Sequence, residues 1–520
     1  MPKIVVREID KTTAAGAPYA NFAVVVPGFV ANDKNTADAW GKVKDENDVY
    51  ECTNKEDFRK YVGLTSSVNH KFVEAVAPTI NKEWAEPKNL TATEFNTAVE
   101  KGNLYYVVAE NTSTTVGELL DDNYKYAIAS KADISKYVFT ESTGESAKTI
   151  FVALDSIGQD ERYVTHYGNQ IAWELLGLGY TVLYKKLTSL DDLKNDTFWK
   201  PLKDKTMYDF RYLVSGLLNG NDQVYEKMLD VAEFTPEDKA FDNVDPLSDG
   251  RGDCIALFDI DQSVYLGKSQ EAAINDILAF AKDNISTSKY AAVFAPTVEY
   301  AVVDDADSFG GNKTFPASFH YLACAARSSE NFNEWYANAG YTRGISKYTI
   351  NKVGCKFGEA AVSMFQRRFK LVEGEVEKVT MAINPIINLR GSYYLWGNRT
   401  AYGLGAKGTP DGDLKAGHFL NIRQLCSTIK KQVYITCRQA TFNPNSDILW
   451  INFCNSIKPT LEKMKADQGI ADYKIMKIKN NRKAFLSALI RIVPIEAVED
   501  FDISIHLEDS LDGVVATTEE

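Results

Sequence analysis

Residues 381–442 read MAINPIINLRGSYYLWGNRTAYGLGAKGTPDGDLKAGHFLNIRQLCSTIKKQVYITCRQATF. Asn384-Pro385 is a turn signal. Alternating apolar residues follow, and the aromatic run Tyr393, Tyr394, Leu395, Trp396 predicts a strand. Gly397-Asn398 breaks it. Arg399-Thr400 come next, and a Gly-rich loop leads to a helix with Phe419, Ile422, Leu425, Ile429 and Val433 on one face. Downstream, 443–446 form a turn and cap, and Leu449, Phe453, Ile457, Leu461 and Met464 mark a further helix stopped near Gly469. Tyr473, Ile475 and Ile478 give one strand and 485–493 another, ended by Pro494. Residues 502–507 alternate with period two, whereas 508–520 have the acidic, polar composition of a disordered segment.

Upstream, strands and helices alternate. Ile171, Ala172, Leu175 and Leu176 line a helix face that Gly177-Leu178-Gly179 ends, and 180–184 is a strand. Val224, Met228, Leu229 and Ala232 mark a helix; 254–259 is the near-continuous apolar strand of a buried parallel sheet. Ala273, Ile274, Ile277, Leu278 and Ala281 predict a helix and 291–296 a strand. Pro316 opens a helix through Phe319, Leu322, Ala323 and Ala326. This order predicts a layered α/β domain. An apolar strand at 22–30 ends at Pro27-Gly28, and Asn54 caps a short helix through Phe58, Tyr61 and Val62. Residues 64–160 fit this order badly. A helix at 91–100 and strands near 105–108, 126–128 and 149–154 read as an inserted domain.

The chain begins with a β-rich segment at 3–9, tethered by small polar residues 10–21 that Gly16 and Pro18 interrupt. Such a strand needs mates for its N–H and C=O groups. It has two possible places. One is the sheet of its own domain. The other is a different subunit, because at ~3.3 Å per residue the tether reaches roughly 35 Å.

At 520 residues, length sets a prior of roughly two to four domains. With 45% hydrophobic and 25% charged residues the composition is that of an ordinary soluble globular protein. A net charge of -13 argues against a nucleic-acid footprint. The seven cysteines contain no CxxC pair, so neither a disulfide framework nor a zinc site is indicated. They suit small buried hydrophobes in a reducing cytosol. The first residues lack the apolar core of a signal peptide, and no apolar run approaches the roughly 18–20 residues of a membrane helix.

Chemistry is sparse. Gly403, Gly405 and Gly408 match GxGxxG, but Thr409-Pro410-Asp411-Gly412 follows instead of a helix, so no helix N-terminus could hold a pyrophosphate. The histidines 70, 166, 320, 418 and 506 are scattered. Asp253, Asp259 and Asp261, and Asp304, Asp305 and Asp307, cluster where strand-end carboxylates could bind a metal or hydrolyse a substrate; solvated loop ends are the simpler reading. Arg251-Gly252-Asp253 spells an adhesion tripeptide beside a buried strand and is given no function. No catalytic residue, cofactor or metal is assigned. Trp396 is expected in a core. Arg399 either pairs with a carboxylate at a subunit contact or closes a turn.

The order of Asn384-Pro385-Ile386, Trp396-Gly397-Asn398-Arg399-Thr400 and the helix start Phe419-Leu420-Asn421-Ile422-Arg423 resembles the C-terminal domain of contractile-tail sheath proteins, the subunits that surround the tail tube of myophages. Trp335, Gly340, Arg343 and Gly344 are similar to the Trp…Ala-Gly…Arg-Gly signature of the sheath α/β domain, called subtilisin-like for its layering and without known protease activity. The strand, Pro-Gly break and Asp57-Phe58…Gly63 segment resemble the start of the sheath body. The resemblance touches about four-fifths of the chain.

The expected fold class is therefore multidomain α/β: a layered subtilisin-like domain, an α+β C-terminal domain and a mixed inserted domain. The expected divisions are an arm at 1–21, a core of 22–63 and 161–380, an insertion at 64–160, a C-terminal domain at 381–507 and an acidic tail at 508–520. The resemblance implies a structural subunit, not an enzyme. In this family, arms add strands to a neighbour's C-terminal domain. That would place Ile4, Val5, Val6 and Ile9, with Ile503, Ile505 and Leu507, at subunit contacts. Implied partners are further copies in a six-fold helical sheath, the tail tube protein, and the baseplate and tail terminator proteins, without nucleic acid or membrane insertion. The implied location is the virion tail, assembled in the host cytoplasm. Two other readings compete. An α/β hydrolase would explain 161–345 but leaves both terminal strands over and lacks a nucleophile. A receptor- or carbohydrate-binding tail protein would explain only the insertion. The sheath of a tailocin or other injection system stays open beside that of a phage.

Overall fold

The computed structural model describes residues 23–29, 47–58, 138–140, 149–151, 168–301 and 314–497, apart from 56, 219, 235–244, 246–248, 359–360, 363–364, 366, 373–374, 381, 404–415, 480–484 and 496. The expected arm strands at 4–9 and 503–507 lie outside these residues. So does most of 64–160, of which Val138–Thr140 and Thr149–Phe151 form an antiparallel pair.

An 8-stranded sheet organises the chain. Its strands are β1 (Ala23–Phe29), β2 (Val49–Cys52), β3 (Thr181–Leu187), β4 (Tyr212–Val214), β5 (Ile255–Asp259), β6 (Ala291–Ala295), β7 (Ile383–Leu389) and β8 (Ser392–Leu395). Their order is β8-β7-β6-β5-β4-β1-β3-β2. The run from β3 to β7 is parallel; β2 and β8 pair antiparallel at the two sides. The sheet thus continues past the division expected at 381.

Side chains of β1 alternate between two cores, as a pleated strand requires. Ala23 and Val25 join one apolar cluster with α2 (Asp222–Ala232) and α3 (Gln270–Asn284). Val24 and Val26 join another with α1 (Gly168–Gly177) and α4 (Ala317–Ser329). Helices on both faces make three layers, the arrangement that buries a parallel sheet. Local signals place the helices. Gly179, at φ +88°, lets the chain turn back so that Tyr180 N–H reaches Leu175 O at 3.0 Å. Asn221 Oδ1 accepts Val224 N–H at 3.1 Å and Ser269 Oγ accepts Ala272 N–H at 3.4 Å.

Two proline readings need correction. Asn384-Pro385 is not a turn but lies inside β7, and Pro27-Gly28 lies inside β1. Pairing of β1 with β4 ends at Val25, so beyond it that flank has no ladder for a proline to interrupt. Gly28 is required by space: a Cβ there would stand 1.9 Å from Tyr184 Oη. The turn instead falls at Arg390-Gly391, with φ +52° and +92°, between β7 and β8. Two residues of positive φ suit a tight hairpin.

Two long antiparallel helices, α5 (Leu420–Ala440) and α6 (Asp447–Ala466), follow the sheet. Ser446 Oγ caps α6 by accepting Leu449 N–H at 3.4 Å. A two-stranded ribbon, β9 (Ile470–Ile478) and β10 (Ser487–Pro494), closes the described chain. Leu425, Ile429, Phe453, Ile457, Leu461, Met464 and Trp335 make a third core, against which Tyr473, Ile475, Ile490 and Ile492 of the ribbon pack.

Candidate assembly site

The sequence motifs of 384–423 converge where the sheet meets α5. Asn384 is wholly buried. Its Nδ2 donates to Val293 O (3.0 Å) and Arg399 O (2.8 Å), and its Oδ1 accepts Arg399 N–H at 2.7 Å. The side-chain amide thus acts as a short piece of backbone and ties the chain after Trp396 to β6 and β7. Pro385 contributes only its carbonyl, which takes Trp396 N–H at 2.8 Å. Asn398 and Asn421 exchange bonds: Asn398 Nδ2 donates to Asn421 Oδ1 at 2.8 Å, and Asn421 N–H donates to Asn398 Oδ1 at 3.1 Å. Asn421 Nδ2 reaches Trp335 O at 3.0 Å, joining the 335–344 motif to the helix start. Thr400 Oγ1 donates to Gly417 O at 2.7 Å.

Arg399 is 0% exposed, with its guanidinium 4.8 Å from the Phe419 ring centre. It lies inside the chain at the turn, out of reach of a carboxylate at a subunit contact, which favours the turn-closing alternative. Trp396 is only half-buried, which corrects its expected place in a core. It packs edge-on against exposed Tyr341 at 5.1 Å while touching the sheet core. Arg343 Nε donates to Ala337 O at 2.7 Å. Gly344 O accepts Leu395 N–H from β8 at 2.7 Å, and a Cβ on Gly344 would stand 2.2 Å from Leu395 O. Gly340 adopts φ +81°. Trp335 Nε1 donates to Asp467 O at 3.0 Å and its ring lies against Gly469, where a Cβ would come within 2.9 Å.

Sequence reasoning missed the polar contacts that bolt α5 to the sheet. Gln424 Nε2 donates to Tyr212 Oη at 2.6 Å and Tyr321 Oη at 2.5 Å. Buried Arg211 donates to Glu334 Oε2 at 2.6 Å and to Thr428 Oγ1 at 2.5 Å, and Thr428 Oγ1 donates to Glu334 Oε1. These partners are 94 to 217 residues apart, so no local pattern could have paired them.

The groups that hinted at catalysis are committed elsewhere. Asp259, at the end of β5, accepts Ser318 N–H at 2.7 Å and the Ser318 hydroxyl at 2.5 Å, and so caps α4 from across the fold. Burial raises its carboxyl to about 7, against the opposing pull of the Ser318 bonds. His320 Nδ1 lies 2.9 Å from Tyr300 Oη, and its Nε2 lies 3.4 Å from Cys324 Sγ. Burial pushes His320 down to about 3 and the Cys324 thiol up, so this trio is neutral and enclosed. Arg251 and Asp253 of the adhesion tripeptide are buried and paired, Nε to Oδ1 at 2.9 Å. Burial raises the Asp253 carboxyl, but Arg251, then Lys431 and Lys205, outweigh it and hold it below the usual range. Among the described residues no three His, Cys, Asp or Glu side chains converge as a metal site, and no helix is long and apolar enough to cross a membrane.

The β9–β10 ribbon is one of three two-stranded sheets among the described residues. Among the described residues β9 pairs only with β10. One face covers the third core, while Val493 (56% exposed), Ile478 and Leu489 face outward.

No protein-family model matches the chain and no curated protein matches it. Solved structures do. A chain of the six-fold symmetrised baseplate of the anti-feeding prophage is 14% identical, covering 65% of this chain and 80% of that one, with a TM-score of 0.43. The PVC sheath complex of an extracellular contractile injection system, in its contracted state, is 15% identical over 66% and 80%, TM-score 0.43. The sheath tail protein of Listeria innocua is 10% identical over 94% and 97%, TM-score 0.39.

Proposed function

We propose that this chain is a structural subunit of a contractile sheath, polymerising helically around a tube and shortening to drive that tube through an envelope. The observation that carries the reading is the β9–β10 ribbon. A two-stranded ribbon of nine- and eight-residue strands has long flanks of N–H and C=O groups, which are a template for further strands. The sequence of the same chain has strand-forming patterns at 3–9 and 502–507. A strand from one copy laid on the ribbon of the next is a contact between unlike patches, and a rotation with a rise turns it into an open helix. The tether at 10–21 lets bodies slide while the pairing holds. The motif resemblance of 335–344 and 384–423 agrees with this reading. Residues 64–160 then stand as a peripheral insertion, and the tube, baseplate and terminator are its further partners.

An enzyme reading finds no support in Asp259 or His320, which are buried and hydrogen-bonded as structural groups. Electron microscopy of the purified chain tests the proposal: striated tubes are expected. Deleting residues 1–9 should leave a folded, soluble protein without tubes. Normal tubes from that deletion would refute strand exchange.

A further inference from the structure

The outer face of the β9–β10 ribbon mixes cations with apolar side chains. Tyr473 and Ile475 of β9 pack on the third core with Ala488, Ile490 and Ile492 of β10, so the residues between them face away from it. On that outer face Lys474 stands directly opposite Arg491, flanked by the pairs Met476–Leu489 and Asp472–Val493. Lys474 and Arg491 are exposed. Like charges directly opposite on neighbouring strands repel. Asp472, the carboxylate on this face, is bonded to Lys465 at 2.9 Å. Among the described residues neither Lys474 nor Arg491 forms an ion pair.

The chain leaves the ribbon at its Ile470–Pro494 end, where Ile495 N–H donates to Gly469 O at 3.2 Å, and the described residues stop at 497. Residues 498–520 follow with eight acids and no Lys or Arg. Apolar residues are set among those acids, as in Asp500-Phe501-Asp502 and Asp509-Ser510-Leu511-Asp512. The segment at the other terminus is a poorer match, because 3–9 carries Lys3 and Arg7 against Glu8 alone. Reach is no obstacle. Lys474 and Arg491 lie roughly 10–13 Å from the Ile470–Pro494 end at ~3.3 Å per residue. Five extended residues beyond 497 span roughly 16 Å.

We propose that, in a single chain, residues 498–520 dock on the outer face of their own ribbon. Their carboxylates meet Lys474 and Arg491, and their apolar side chains cover Met476, Leu489 and Val493. A direct chain connection holds the acids at an effective concentration in the millimolar range, so contacts too weak to retain a separate partner are populated. The docked segment relieves the repulsion between the two cations and takes exposed apolar surface out of water. This contact goes beyond the sheath reading and stands without it. Within that reading, 502–507 leaves its own ribbon when a neighbour takes it.

The test uses the full chain, dilute, at about 50 mM salt, where exposed charges are weakly screened. A carbodiimide joins an ammonium to a carboxylate only where the two touch. Mass spectrometry of the digest should find acids of 498–520 joined to Lys474 at several times the yield of the same acids joined to Lys463. Lys463 is an exposed lysine in the last turn of α6, near the same end of the ribbon. About 1 M salt should abolish that preference. A mixture of isotopically light and heavy chains should give these products within single chains. In a second measurement, Lys474→Gln with Arg491→Gln should free the segment, so that chymotrypsin cleaves after Phe501 roughly threefold faster. Both changes are at exposed positions, so folding is retained. Equal coupling to Lys474 and Lys463, or cleavage unaffected by the double variant, would overturn the proposal. Products joining light to heavy chains would overturn it too, because the segment would then sit on another copy. Tube formation or its absence bears on the sheath reading alone.

Discussion

The eight-stranded sheet and the β9–β10 ribbon of this molecule are covered to different extents. Helices cover both faces of the eight-stranded sheet, and at its β8 side Leu395 N–H is taken by Gly344 O. The β9–β10 ribbon covers a core with one face, leaves apolar residues on the other, and has no third strand among the described residues. The first sheet is covered on both faces by its own chain; the second is the one to which the proposed strand exchange assigns further strands.

The sharpest way to test this contrast is to break one ion pair of each kind. Glu334→Ala strands Arg211, which is 0% exposed, and should cost about 3–5 kcal/mol in chemical denaturation. Lys465→Ala removes an exposed partner of Asp472 between α6 and β9 and should leave the denaturation midpoint almost unchanged. Equal losses would mean that the helical hairpin is as tightly built as the sheet.

Asp259 offers a pH handle on the closed sheet. Its folded pKa, raised to about 7 by burial, lies above the unfolded carboxylate value. The folded state therefore binds the extra proton between those values. The stability this contributes is complete below pH 4 and is lost as pH rises through 7, by up to about 4 kcal/mol. Asp259→Asn keeps an acceptor for Ser318 N–H and cannot ionise. The variant should gain stability over the wild type steadily from pH 5 to 8, with no such gain if the carboxyl ionises at its ordinary value. Assembly should be retained, since Asp259 faces no surface.

Space decides the next effect. Gly28→Ala forces a Cβ into the Tyr184 ring and should cost roughly 1–3 kcal/mol, measured by thermal or denaturant unfolding. Combining it with Tyr184→Leu should recover part of the loss; no recovery would place the strain in the backbone instead.

How much of this was legible in the sequence depends on the range of the signal. The helices of the body announced themselves through apolar spacing and caps, because those signals lie within one or two turns: Asn54 Oδ1 does accept Asp57 N–H at 2.8 Å. Proline misled twice, at 27 and 385, because whether its missing N–H matters depends on the neighbouring strand. Asn384 looked like turn chemistry for the same reason that makes it useful in β7: its amide imitates backbone. Arg390-Gly391 passed unnoticed because arginine is an unusual residue at positive φ. The motif residues 398–400 and 421–423 could be singled out by order alone. That Asn398 and Asn421 exchange hydrogen bonds, or that Arg211 finds Glu334, required the fold.

The ribbon should yield the smallest change in stability and a complete change in behaviour. Val493 is 56% exposed on β10, so Val493→Lys removes little buried apolar area and should shift unfolding by no more than about 0.5 kcal/mol. A lysine there places charge on the outer face of the ribbon, which is how natural edge strands reject extra strands. Tubes should therefore disappear while the monomer keeps its circular dichroism and its melting transition. The same substitution at Val26, buried in β1, should instead unfold the body, since it would seal a charge in the core. If Val493→Lys unfolds the chain as Val26→Lys does, the ribbon belongs to the closed core. If it leaves both stability and tubes intact, strand exchange does not run through β9–β10, and the contrast between the two sheets has no bearing on assembly.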